Sequence, residues 1–117
     1  MDTRLKQALE FANYRQTLSA QRKLLKEKSQ AKLTYGYAGG LFKIDQTLIN
    51  FIVTLESAGR VNNVIILDSN ENPILIENLE DFKDEVFDRY FTVTNEYYEE
   101  YKKIKTSRSV EKLISYE

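Results

Sequence analysis

The chain has 117 residues, with 17 Lys/Arg against 18 Asp/Glu for a net charge of −1. That length predicts a single domain over 1–117 with a modest core. Cysteine and histidine are both absent, which excludes disulfides, thiol chemistry and zinc–thiolate sites and removes the usual general base near neutral pH.

The charge is sorted along the chain. Residues 1–43 hold nine Lys/Arg against three Asp/Glu, residues 44–100 three against thirteen, and residues 101–117 five against two. Such sorting predicts complementary surfaces, within one molecule or between copies.

Residues 3–34 read as one long basic helix, free of Gly and Pro and rich in Ala, Leu, Lys, Gln and Arg. Its first half has a broad apolar face of Leu5, Ala8, Leu9, Phe11 and Ala12, which then shrinks to Leu18, Leu24 and Leu25. Phe11, Leu18 and Leu25 recur at the spacing of a coiled-coil seam. Gly36-Tyr37-Ala38-Gly39-Gly40 marks a turn with positive φ, and Leu41 to Ile44 run extended after it. Asp45 is an N-cap candidate for a short helix over 46–58, and Gly59 stands at its C′ position.

Val64–Leu67 and Ile74–Ile76 flank the turn-rich Asp68-Ser69-Asn70-Glu71-Asn72-Pro73, predicting a β-hairpin over 64–76. Residues 41–44 are the natural third strand. Asn78-Leu79-Glu80-Asp81 has the form of a capping box and opens a long acidic, aromatic helix over 79–105. Its apolar stripe runs through Leu79, Phe82, Val86, Tyr90, Val93, Tyr97, Tyr101 and Ile104 at a period near 3.6. A short helix is expected over 109–116. The fold class is therefore α+β and mainly helical: two long amphipathic helices, one short helix and a small antiparallel hairpin, with a three-stranded sheet as its extended form. A helix of about 30 residues is about 45 Å long, well beyond the roughly 13–14 Å radius of gyration of a compact domain this size.

Two readings of the basic face of the first helix are open. Arg15, Arg22, Lys23, Lys26, Lys28 and Lys32 could neutralise nucleic-acid phosphates. They could equally pair with Glu80, Asp81, Asp84, Glu85, Asp88, Glu96, Glu99 and Glu100 of the acidic helix. A pI near 5.6 favours the second. Of the tyrosines, Tyr90 and Tyr97 are assigned to core, and Tyr98 and Tyr101 to partner contact. Asp68-Ser69-Asn70-Glu71-Asn72 starts like a calcium loop, but Pro73 occupies the glycine position and Leu79 the final glutamate position.

Three segments together carry a resemblance: Tyr35-Gly36-Tyr37-Ala38-Gly39-Gly40-Leu41-Phe42-Lys43-Ile44, Leu67-Asp68-Ser69-Asn70-Glu71-Asn72-Pro73, and Tyr97-Tyr98-Glu99-Glu100-Tyr101-Lys102-Lys103. The chain resembles small proteins of T4-like phages that infect cyanobacteria, in particular prohead core (scaffold) proteins. The resemblance implies a viral protein made in the host cytoplasm, working by assembly rather than catalysis, and brings no catalytic residue with it.

The expectation is a non-enzymatic interaction or assembly protein, a homo-oligomer or the partner of another protein, without cofactor, metal or membrane association. Arg15, Arg22, Lys23, Lys26, Tyr98 and Tyr101 are the expected contact residues. One alternative is a nucleic-acid-binding or replication/transcription accessory factor using the basic helix. Another is a host-directed inhibitor of one cellular protein. The N-terminus opens into a charged helical pattern without a secretory h-region, and no apolar run nears the roughly 20 residues that span a bilayer. A soluble cytoplasmic location is the corresponding expectation.

Overall fold

The structure is a computed structural model that describes residues 3–106. The helix expected over 109–116 lies outside the described residues. The order of elements is α1 (Thr3–Lys32), β1 (Thr34–Tyr37), β2 (Gly40–Lys43), α2 (Gln46–Ser57), β3 (Asn62–Leu67), β4 (Pro73–Asn78) and α3 (Leu79–Thr106). The fold is α+β and mainly helical, with two long helices, one short helix and two antiparallel hairpins. The described residues fall into two compact units. One is Gln30–Thr94; the other is formed by the described parts of Met1–Ser29 and Asn95–Glu117.

Local chemistry sets most boundaries in the Gln30–Thr94 unit. Asp45 caps α2, its carboxylate accepting from the Leu48 N–H at 2.9 Å. At the other end of α2, Arg60 N–H donates to Leu55 C=O and Gly59 N–H to Glu56 C=O. This is a Schellman closure, and it holds Gly59 at φ 75°. Asn78 caps α3 by accepting from the Asp81 N–H at 3.2 Å.

The first hairpin is tighter than the glycine cluster alone implies. Thr34 pairs with Lys43 and Tyr37 with Gly40, leaving Ala38 (φ 50°) and Gly39 (φ 83°) as the two turn residues. Positive φ at both positions matches the twist of the flanking strands. The strand β1 ends α1 at Lys32, two residues short of the expected boundary, because Leu33 C=O accepts from Ile44 N–H at 2.7 Å and opens the ladder.

The expected three-stranded sheet does not form. The strand β2 takes its ladder from β1, and β3 pairs with β4 alone, Val64 opposite Ile76 and Leu67 opposite Pro73. Between β2 and β3 the contacts are confined to one end. Ser69 N–H donates to Leu41 C=O at 2.8 Å, while Leu41 N–H goes to the Asp68 carboxylate at 3.1 Å. A side chain thus takes the donor that a third strand would have paired.

That carboxylate organises the whole β3–β4 turn. One Asp68 oxygen accepts from both Asn70 and Asn72 N–H, each at 2.9 Å, and the other from Leu41. The group the calcium-loop pattern would offer to a cation is engaged by backbone amides. The amides of Asn72 and Leu41 are the chief cause of an Asp68 pKa below its ordinary 3.8. The folded chain therefore keeps Asp68 charged at a pH where the unfolded chain protonates it. Its contribution to stability is complete above about pH 4 and is lost as pH falls through the lower folded value. In Asp68→Asn an NH2 group faces one of the donors. The urea midpoint of this variant should lie below the parent's near about pH 6, and the gap should close toward about pH 2. A gap independent of pH would refute the charge's role.

The core lies in this unit. Phe42, Ile44, Ile52, Val64, Ile66, Ile76, Leu79, Phe82 and Val86 are buried together. The Phe82 ring meets Phe42 edge-on at 5.1 Å, Tyr37 edge-on at 5.1 Å and Tyr35 stacked at 6.1 Å. Arg89 lies over the Tyr35 ring at 4.5 Å while its Nε bonds Glu85 at 2.7 Å. Burial and the Glu85 charge push the Tyr35 hydroxyl pKa up.

Candidate functional site

Helix α1 spans 30 residues, and the residues it buries are Gln21 and Ser29, both polar. Leu5, Leu9, Phe11 and Leu24 are 52%, 49%, 61% and 48% exposed. Leu18 and Leu25 are half-buried. Leu5, Leu9 and Ala12 are spaced i, i+4 and i+7, so they share one helix face. Among the described residues of the same unit, Ile104 is the one buried apolar side chain. Helices in proteins are held mainly by burying an apolar face, and α1 leaves its Leu5–Leu9 face exposed.

The expected contact residues divide into three groups. Arg15 and Arg22 lie against aromatic rings, Arg15 over Phe11 at 5.9 Å and Arg22 over Tyr101 at 5.6 Å. Lys23 and Lys26 are exposed. Tyr98 is exposed with Lys102 over its ring at 5.4 Å, whereas Tyr101 is half-buried under Arg22. The contact from Arg22 brings Tyr101 to α1. Tyr98 keeps its ring face for its own i+4 cation. Tyr90 and Tyr97, assigned to core, are half-buried; Tyr90 packs against the main cluster.

Of the basic residues expected to pair with the acids of α3, Arg15 and Arg22 make these ring contacts. Three of the α3 acids meet cations on their own helix: Arg89 meets Glu85 at 2.7 Å, Lys102 meets Glu99 at 3.5 Å and Lys103 meets Glu100 at 3.3 Å. Lys83 reaches Glu56 of α2 at 2.6 Å. Exposed pairs such as these are worth about 0–1 kcal/mol each, so they orient side chains more than they stabilise the fold.

Leu5 and Leu9 were legible as apolar but not as exposed. Nothing in a sequence distinguishes an apolar stripe that finds a core from one left open. The signal that remained was the loss of apolar positions after Ala12, which denies α1 a continuous buried seam.

Among the described residues no group of three or more Asp or Glu could hold a metal ion. No described helix is long and apolar enough to cross a membrane. No protein-family model matches the chain, and no curated protein or solved structure matches it either.

Proposed function

We propose that the chain is a non-enzymatic assembly protein that associates with further copies of itself through the amino-terminal half of α1. One observation carries this reading: a 30-residue helix on which Leu5, Leu9, Phe11 and Leu24 stay about half exposed. Apolar surface in that arrangement is stabilised by a partner. The same segment in a second copy supplies matching apolar surface, Leu5 and Leu9 against their counterparts. Virion assembly, the setting implied by the resemblance to phage prohead core proteins, is compatible with such a role.

Charge makes the reading testable. Helix α1 carries eight Lys/Arg against two Asp/Glu, so self-association works against repulsion that salt screens. Light scattering should show oligomers whose average mass rises with protein concentration and is maintained or increased by salt. A monomer at every concentration and salt level would refute the proposal. Salt-sensitive binding of DNA or RNA, lost when Arg22, Lys23 and Lys26 become Glu, would instead favour the nucleic-acid reading.

A further inference from the structure

The two hairpins of the Gln30–Thr94 unit leave a groove between their facing edges, and the hydrogen-bond parity shows what it lacks. Asp68 N–H donates to Asn72 C=O, so at the two-residue period Ile66 and Val64 face β4, while Ile65, Leu67 and Ser69 turn their backbone groups to the opposite edge. Ser69 follows this pattern, since its N–H reaches Leu41 C=O on β2. On β2, the Ile44 N–H to Leu33 C=O bond turns Phe42 toward β1 and leaves Leu41 and Lys43 facing β3. The two edges are therefore tied at Leu41 and Ser69 and unzipped beyond them.

The unzipped part opens a groove of about 500 Å³. Its β3 wall is the consecutive run Ile65 to Ser69. Strand side chains alternate between faces, so an unbroken run lining one groove means that the strand edge itself is presented. The opposite wall includes Phe42 and Lys43, and α2 contributes Leu48 and Phe51. Ile65 and Leu67 are 54% and 59% exposed, on a sheet face that would ordinarily be polar if it met only water.

The charges in the groove are unequal in availability. Asp68 is held by three amides and Asp45 by the Leu48 N–H. Among the described residues Lys43 makes no ion pair, so its ammonium is the groove's cation open to an occupant's carboxylate.

We infer that this groove binds an extended peptide by strand addition to the free edge of β3, the occupant presenting apolar side chains to Leu48 and Phe51 and a carboxylate to Lys43. Backbone N–H and C=O groups in a row are matched only by another backbone in β conformation. The site lies within residues 42–69 and does not involve α1.

Leu67→Pro tests the backbone claim. The Leu67 N–H points away from β4, so proline removes an edge donor without breaking the hairpin ladder. The probe is a random-decapeptide phage library panned on the full chain. Selected peptides should alternate apolar residues and carry Asp or Glu, and in ¹⁵N spectra they should shift the Ile65 and Leu67 amides. Binding should weaken by about tenfold or more in Leu67→Pro, in Phe51→Glu and in Lys43→Glu. Far-UV circular dichroism of each variant matching the parent excludes unfolding as the cause. Recovery of no peptide, equal binding by a folded Leu67→Pro chain, or occupation of the edge by a second copy would each overturn the inference.

Discussion

Replacing Phe82 with alanine is expected to cost about 3–5 kcal/mol and to unfold much of the Gln30–Thr94 unit under conditions where the parent is folded. Phe82 is fully buried in the first turn of α3, and its ring joins elements that are distant in sequence. Tyr35 and Tyr37 come from β1 and Phe42 from β2, all with ring centroids within about 6 Å. Truncation removes the apolar area of the ring and leaves a cavity against the rings of β1 and β2. Only partial collapse is open to them, because β1 and β2 are fixed by their own ladder. A domain of this size has a total stability on the order of 5–15 kcal/mol, so the loss is a large share of the whole. Urea denaturation followed by circular dichroism measures it. Phe91→Ala is the control: Phe91 lies on the same helix and is exposed, and its loss should change stability by only about 0.5 kcal/mol or less. Equal effects at the two positions would show that the ring cluster does not hold the unit together.

The second large effect concerns association. In the double variant Leu5→Glu/Leu9→Glu, two half-exposed apolar side chains on one helix face become charged where the proposed interface needs them dry. Each loses a contact worth roughly 1–2 kcal/mol, and an interfacial carboxylate adds a desolvation penalty. Together they should weaken self-association by on the order of a hundredfold or more. Neither residue is in the buried core, so the urea midpoint of the Gln30–Thr94 unit should stay at the parent value. Sedimentation velocity is the readout, and a double variant with the parent's oligomer distribution would remove α1 from the interface.

Much of the local architecture was legible because it is written in short-range chemistry. Asp45, Gly59 and Asn78 each perform the capping role their residue type and position announced. The hairpin around Asp68-Ser69-Asn70-Glu71-Asn72 and the stripe of α3 followed from turn residues and periodicity. The sheet pairing was less legible. Tyr35-Gly36-Tyr37 reads as the edge of a glycine turn, and its role as strand β1 depends on Leu33 meeting Ile44. The third strand failed for a reason no periodicity contains: the Asp68 carboxylate took the Leu41 N–H.

The candidate surfaces show the same limit. The basic residues of α1 were easy to identify, yet Arg15 and Arg22 rest on Phe11 and Tyr101 rather than on carboxylates. Apolar Leu5 and Leu9 gave no sign that they would remain open. The groove beside β3 arises from two edges that come close at one end and then diverge, which is a property of the tertiary arrangement alone.

Hydrogen exchange of the α1 amides as a function of protein concentration shows whether a second copy covers the helix. If the helix is completed by a second copy, protection over residues 5–25 should rise with concentration while that of α2 and β3 stays constant. Equal protection of α1 at every dilution, including those at which the chain is a monomer, would contradict association through α1.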